Sequence, residues 1–589
     1  MRRLHVGVPS QIMSAKLLSI VALSAFLLLL SNNSARRSSL ARHLSSPSHS
    51  QNTKLRRRLS PQGVAHLRSA LDVLENTEAQ ENSGTMHARE AQELYAALDD
   101  SLVWFEDTQP TAETRQIIEE LKHADEKGLR VEEYDGPLWD ARLAAFTRSE
   151  SSSEIDAIDF DVALTFSTMR FLSDLHLGRV NPPALHFQIA AGDKSMDLSE
   201  FLRNQIIHTS DVHTVVQSVE PEFLAYRRTL QALHTYLELA RTDDGELLPL
   251  PRKAIRAGEI YSGVPRLARL LQSLGDLPTP LKNDRQIYDS ELAQAVMHFQ
   301  RRHGLEPNGH LDTRTLAELN TPLGRRVLQL QLTLERWRWL PQNFSRAPIV
   351  VNIPEFRLYA ISEDHRVALA MNIVAGRAYH HQTPVFTSEI RTVIFRPYWN
   401  VPLTIQRYEL VPQLAKHPSY LAENSYEVLD TRGHVIVNFD NDQKLAAKLR
   451  SGEWLLRQRP GPGNSLGLIK FELPNPYDVY LHGTPAPELF ARSRRDFSHG
   501  CIRVEDPVAL AVWILRDNPA WSEERIREAV NGEETLRVDL KKSIPAWILY
   551  GTAVVQEDRE VHFLKDIYGH DAALESALAS RGTVSNRER

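Results

Sequence analysis

The stretch His482–Arg503, HGTPAPELFARSRRDFSHGCIR, decides how the rest of the chain is read. It holds Cys501, the single cysteine of 589 residues, inside Ser498-His499-Gly500-Cys501. A lone cysteine cannot close an intramolecular disulfide. A free thiol of pKa about 8.5 is mostly protonated at neutral pH, and an imidazole that takes its proton makes it a nucleophile. His482, nineteen residues upstream, and His499 are the two candidates for that imidazole. Gly500 lets the main chain approach a substrate closely at the residue before the thiol. The alternative for the same residues is a buried, inert thiol beside two structural histidines. Asp478-Val479-Tyr480-Leu481 reads as a strand running into His482, and a helix is predicted from Asp506-Pro507.

At 589 residues the chain is too long for one ordinary domain. Hydrophobic content of 42% and charged content of 24% are those of a soluble globular protein, and a net charge of -6 gives no case for nucleic acid. The charge is unevenly placed, with ten Lys/Arg and no Asp or Glu in residues 1–60. Within that stretch Leu17–Leu30 is an apolar run preceded by Arg2, Arg3 and Lys16. It is short for a spanning helix, which needs about 20 residues, and suits the apolar region of an export signal. Asn33-Ser34-Ala35 is a poor cleavage site, so an uncleaved signal-anchor is the alternative. We therefore read residues 1–35 as signal or anchor and the Ser- and Arg-rich residues 36–60 as a disordered tether.

From Pro61 the pattern is helical, and residues 61–255 read as a helical scaffold. Thr111 caps a predicted helix carrying Ile117, Leu121 and Ala124 and stopped by Gly128; a second runs from Phe160 to Leu177. Residues 262–322 form a compact three-helix unit, in which Leu292, Val296 and Phe299 share one helical face and Gly304 is the C-cap. Residues 323–345 read as a connecting helix. Beyond it the texture turns to strands: Ile349–Tyr359, Ala368–Val374 and Ile390–Phe395, then Tyr398-Trp399-Asn400-Val401-Pro402. Residues 403–458 are polar and partly helical and interrupt the strands, as an insertion placed over one edge of a sheet would; loops of that length are often lids. Strands resume after Pro460-Gly461-Pro462-Gly463-Asn464-Ser465-Leu466-Gly467.

Several strings carry a family resemblance. A His, a spacer and Ser-His-Gly-Cys followed by Ile-Arg is similar to the signature of the L,D-transpeptidase (YkuD-type) family. VNIPEFRLY (Val351–Tyr359), YWNVP (Tyr398–Pro402) and PGPGNSLG (Pro460–Gly467) are similar too. FQRRHGL (Phe299–Leu305), Asn308-Gly309 and TLAELN (Thr315–Asn320) resemble the peptidoglycan-binding type 1 domain, with Asn308 where that family usually has Asp. The order of parts resembles the large periplasmic subgroup. The resemblance implies a multidomain α+β protein: helical scaffold, three-helix wall-binding unit, mostly-β catalytic domain over 346–540 with its cap at 403–458, and a C-terminal extension at 541–589. It implies Cys501 as nucleophile, His482 as base and the Gly483 carbonyl as the group that orients the imidazole. Tyr480 and amides near Gly500 and Cys501 would hold the oxyanion. Ser498 and His499 would shape the site, Arg503 would meet a substrate carboxylate or brace the loop, and Trp399 and Asn400 would line the groove.

The reaction so implied is 3→3 cross-linking of peptidoglycan between a donor and an acceptor tetrapeptide stem, in the periplasm or at the inner membrane, with no metal or organic cofactor. Roles in cell-wall organisation and cell shape follow, as does acylation by carbapenems. Three rival readings stay open: an L,D-carboxypeptidase that uses water as acceptor, a wall-binding scaffold with a dead site, and a zinc hydrolase using His380, His381, His482 and His499. The last lacks a close two-ligand motif with a general-base Glu.

Overall fold

The computed structural model describes residues 58–81, 87–107, 109–148, 153–190, 194–279, 286–342, 346–378, 381–437 and 443–585. The expected export signal and all but the last three residues of the tether lie outside them. Among the described residues no helix is long and apolar enough to cross a membrane.

The scaffold is helical as expected. Helices α1 (Pro61–Glu81), α2 (His87–Ala97), α3 (Ala112–Lys122), α4 (Glu154–Leu177) and α5 (Val212–Val219) enclose a core around Leu94, Trp104, Ile117, Trp139 and Phe171. Thr111 caps α3 as predicted, by accepting from the Thr114 amide. The helix ends at Lys122, however; a separate 3-10 turn over Ala124–Lys127 carries the chain to Gly128. Helix α4 starts earlier than Phe160, because Ser153 and Asp156 form a reciprocal capping box. Helix α6 (Leu224–Thr242) does not join this core. It packs with Tyr226 and Leu233 against the connecting helix and a C-terminal hairpin.

The next unit contains α7 (Val264–Ser273), α8 (Ser290–Arg302) and α9 (Thr313–Leu319), with Asp289 and Asp312 as N-caps of the last two. Leu292, Val296 and Phe299 are buried together, as their spacing predicts. Helix α10 (Leu323–Arg338) leads into the β region.

That region is one sheet of β1 (Ile349–Asn352), β2 (Arg357–Ile361), β3 (Val367–Gly376), β4 (Phe386–Phe395), β8 (Ile469–Glu472), β9 (Leu481–His482), β10 (Asp496–Ser498), β11 (Ile502–Val504) and β12 (Leu536–Leu549). The order is β10-β3-β11-β9-β8-β4-β12-β1-β2, and β2 also pairs with β3, so eight strands close into a ring. Closure removes the free edges of those eight strands, and β10 (Asp496–Ser498) pairs outside the ring with β3 alone. The alternating segment Ile349–Tyr359 is two strands, since Phe356 takes φ 54 in the turn between them. The expected break at residue 540 falls inside β12, whose Ala546–Leu549 pair in register with Ile349–Asn352. Residues beyond 540 therefore complete the sheet. The rest follow as β13 (Ala553–Val555), β14 (Val561–Phe563) and α12 (His570–Ser585), and Leu574 and Leu578 of α12 enter the core of this sheet. The scaffold also touches this sheet: Gln188 donates to the Val385 carbonyl and accepts from the Thr387 amide, both at 3.0 Å.

The insertion is a folded body of its own. Strands β5 (Trp399–Asn400), β6 (Tyr426–Asp430) and β7 (Trp454–Gln458) form a sheet in the order β5-β7-β6. With α11 (Gln443–Ser451) and the helical segments between Leu403 and Glu423 they bury Val411, Leu421, Val428, Leu449 and Leu456. It leaves from β4 and returns to β8, two strands paired in the middle of the ring rather than at an edge.

Candidate active site

The expected site residues gather at one end of β9. His482 ends that strand, and its register partners are Lys470 on β8 and Arg503 on β11. Residues 478–480 are not strand as predicted. Asp478 takes φ 54, which ends regular pairing and turns the segment across the site. Leu481–His482 pairs parallel to Ile502–Arg503, so the turn carrying Cys501 lies beside the segment Asp478–Tyr480 that leads into His482.

The Ser498–Cys501 turn is held from within and from below. Ser498 Oγ donates to the Cys501 carbonyl at 2.5 Å and accepts from the Gly500 amide at 3.1 Å. Gly500 sits at φ +112, a conformation that side-chain-bearing residues rarely adopt. Thr383 Oγ1 donates to the Gly500 carbonyl at 2.8 Å and accepts from the Gly376 amide at 2.9 Å. Tyr568, beyond the sheet, donates its hydroxyl hydrogen to the Gly376 carbonyl at 2.6 Å.

His482 is 4% exposed. Its Nδ1 lies 2.6 Å from the Gly483 carbonyl. A carbonyl only accepts, so the ring proton is on Nδ1 and Nε2 carries the lone pair. Burial, then the Arg503 charge, bring the His482 pKa down to about 3 against the opposing pull of the Gly483 and Leu466 carbonyls. The Gly483 carbonyl is itself set by the loop before β8. Gly467 there takes φ +64, and its Cα sits so near Gly483 that a Cβ would fall 2.7 Å from the Gly483 carbonyl carbon. Asn464 fixes this loop through bonds to the Pro397 and Arg459 carbonyls and from the Leu466 amide.

Burial pushes the Cys501 thiol up, while Tyr480, Lys470 and Arg503 pull it back. Its Sγ points to the Asp478 carbonyl at 3.7 Å. Among the described hydrogen bonds none joins Cys501 to His482; the raised thiol pKa and the lowered imidazole pKa keep both neutral in one cleft. The Tyr480 hydroxyl faces both the thiol and Trp399, and burial, its main cause, raises its pKa far above the ordinary value, so it remains an O–H donor.

Cys501, His482, Ser498, His499, Arg503 and Tyr480 line a cleft of about 890 Å³ whose opposite wall is the cap, including Trp399, Asn400, Tyr420 and Tyr426. His499 does more than shape the turn: its Nε2 bonds Glu409 of the cap, and its ring lies 4.8 Å from that of His381. His380 lies outside the described residues. Among the described residues no group of three or more His, Cys, Asp or Glu side chains is placed to hold a metal ion. Sequence reasoning missed Lys470, Glu409, Thr383 and Tyr568. The place of each at the site depends on long-range pairing.

This part of the chain is a closed β sheet carrying a Cys/His cleft under an inserted cap. Residues 346–540 match the family model described as "L,D-transpeptidase catalytic domain" (YkuD), residues 89–233 match "Scaffold domain", and residues 261–319 match "Putative peptidoglycan binding domain". The protein is thus a multidomain chain whose residues 346–540 are similar to the L,D-transpeptidase catalytic domain of the YkuD family. A Haemophilus influenzae protein named "Putative L,D-transpeptidase" is 31% identical over 250 residues, 42% of this chain; the chain spans about half (49%) of that relative's length. A solved L,D-transpeptidase from Stackebrandtia nassauensis is 13% identical and matched over 51% of this chain and 97% of that one, with a TM-score of 0.21.

Proposed function

We propose that the chain forms 3→3 cross-links in peptidoglycan through a thioester on Cys501. The observation that carries this reading is the pinned His482. With Nδ1 held by the Gly483 carbonyl, Nε2 is the free base in a cleft that also holds the only thiol of the chain. A main-chain carbonyl here fills the orienting position that a carboxylate fills in other nucleophile–base triads.

In the first half-reaction Sγ attacks the carbonyl carbon of the donor stem's third residue, a diamino acid, and its proton passes to His482 Nε2. Tyr480 O–H and the amides of Gly500 and Cys501 stabilise the oxyanion. The C–N bond to the terminal D-Ala breaks, the imidazolium returns its proton to the leaving amine, and a thioester remains. In the second half the side-chain amine of an acceptor stem attacks, the C–S bond breaks, and the displaced proton restores the thiol by way of His482. Apo sites often show long nucleophile–base contacts that tighten with substrate bound, so the unjoined resting pair is compatible with this course.

Trp399, Asn400 and the cap's tyrosines would hold the stem, and the unit at 261–319 would bring the enzyme to the wall. The same thiol would be acylated by carbapenems. Action on peptidoglycan places the protein in the periplasm, exported or anchored by its basic, apolar N-terminus. Incubation of the purified chain with disaccharide-tetrapeptide, read by mass spectrometry, tests the reading. Cross-linked dimers with loss of D-Ala are expected; tripeptide alone would make the enzyme an L,D-carboxypeptidase.

A further inference from the structure

Lys470, His482 and Arg503 stand in one row across three adjacent strands. Lys470 pairs in register with His482, and His482 with Arg503. Laterally paired residues project from the same face of a sheet. All three side chains line the cleft that holds Cys501. His482 therefore has a cation on each side, at right angles to the strand that carries it.

Among the described residues Arg503 is left without a counter-charge, and Lys470 is engaged only in part. Arg503 has a buried Nε with no hydrogen-bond partner among the described residues. A buried guanidinium donor without a partner is costly, because it loses water and gains nothing in return. Lys470 covers the Tyr480 ring at 4.3 Å and donates to Glu472 at 2.9 Å. Glu472 is in turn shared with Arg537, at 3.0 Å. An ammonium has three donors, and this pairing leaves Lys470 able to donate into the cleft.

We propose that Lys470 and Arg503 form a two-cation clamp that reads the free terminal carboxylate of the donor stem, making Lys470 a specificity-determining residue. The inference rests on the proposed thioester chemistry and adds to it which stems are accepted. The carboxylate sits on the leaving D-residue, one residue from the carbonyl that Cys501 attacks, and so within reach of side chains flanking His482. The clamp also has a consequence for the base. Two cations beside an imidazole disfavour its protonation, and a bound carboxylate cancels that field. The correct substrate thereby raises the basicity of His482 at the moment the thiol must lose its proton. A stem with a neutral C-terminus forfeits both the contact and the activation.

The test compares two donors, a disaccharide-tetrapeptide ending in a carboxylate and the same compound ending in a carboxamide. Full-length wild type, Lys470→Met and Lys470→Arg are each followed by intact mass for acyl transfer to Cys501. Wild type is expected to prefer the carboxylate by about 10- to 100-fold in kcat/KM, an amount ordinary for one desolvated charge contact. Lys470→Met should bring the ratio to within about 3-fold, and Lys470→Arg should restore most of it. Thermal melting of each variant separates this loss from unfolding, and a ratio between two donors cancels any loss of active enzyme. Equal rates on the two donors in wild type, or a ratio unchanged in Lys470→Met, would overturn the clamp while leaving the thioester reading standing. No acyl adduct from either donor in wild type would overturn both.

Discussion

Gly467→Ala probes the support of His482, the proposed base, without touching it. Gly467 has φ +64, where an alanine is strained by roughly 1–2 kcal/mol. Its new Cβ would fall 2.5 Å from the Thr484 amide nitrogen, 2.7 Å from the Gly483 carbonyl carbon and 2.9 Å from the Gly483 Cα. All three are main-chain atoms, so no side chain can swing away. Relief requires the loop before β8 to part from the segment after β9, an overpacking cost of about 1–3 kcal/mol. The sum is about 2–5 kcal/mol of stability. The carbonyl displaced is the one that fixes His482 Nδ1 at 2.6 Å. A shift of about 1 Å in a reacting group costs on the order of 100-fold in rate. Acylation of Cys501 by donor stem, followed by intact mass at a temperature where the variant stays folded, should therefore fall by about that factor. Thermal melting should fall alongside. A Gly467→Ala protein that acylates within twofold of wild type and melts at the same temperature would refute the view that this close approach positions the base.

Two further outcomes follow from the site. His482 has its pKa lowered to about 3 from an ordinary 6.5, so as pH falls through that window the unfolded chain takes up a proton that the folded site refuses. Stability is full above pH 6.5 and falls toward pH 3, by up to about 4–5 kcal/mol from this residue; His482→Gln should be less acid-sensitive than wild type in paired denaturant titrations, and equal sensitivity would contradict the burial argument. Glu409→Ala removes the cap's bond to His499 and should raise KM for donor stem several-fold with a smaller change in kcat, measured by steady-state release of D-Ala; an unchanged KM would mean the contact does not hold the cap.

The sequence shows the chemistry of this chain better than its long-range geometry. Cys501, His482 and Gly483 lie in one short string, and the pairing of histidine ring to adjacent carbonyl is a contact between neighbours. The scaffold and three-helix units were legible because helices are local and their caps, Thr111, Asp289 and Asp312, are written beside them. What was lost depended on distant partners. Asp478–Tyr480 has strand composition but is turned by the φ of Asp478, which no propensity forecasts. The cap's short strands are scattered among helical turns, so their shared sheet emerges only from pairing. Residues 541–549 looked like a tail because their partner strand, Ile349–Asn352, lies almost two hundred residues earlier. Lys470 looked like an ordinary strand lysine until the register set it beside His482.

The central claim is that Cys501 carries the acyl group between two stems. Intact mass spectrometry of the full chain with disaccharide-tetrapeptide, run in parallel on Cys501→Ala, addresses it most directly. The account predicts a thioester adduct equal to the donor less D-Ala in wild type, none in Cys501→Ala, and cross-linked dimers from wild type alone. An adduct or dimers that persist in Cys501→Ala would contradict it.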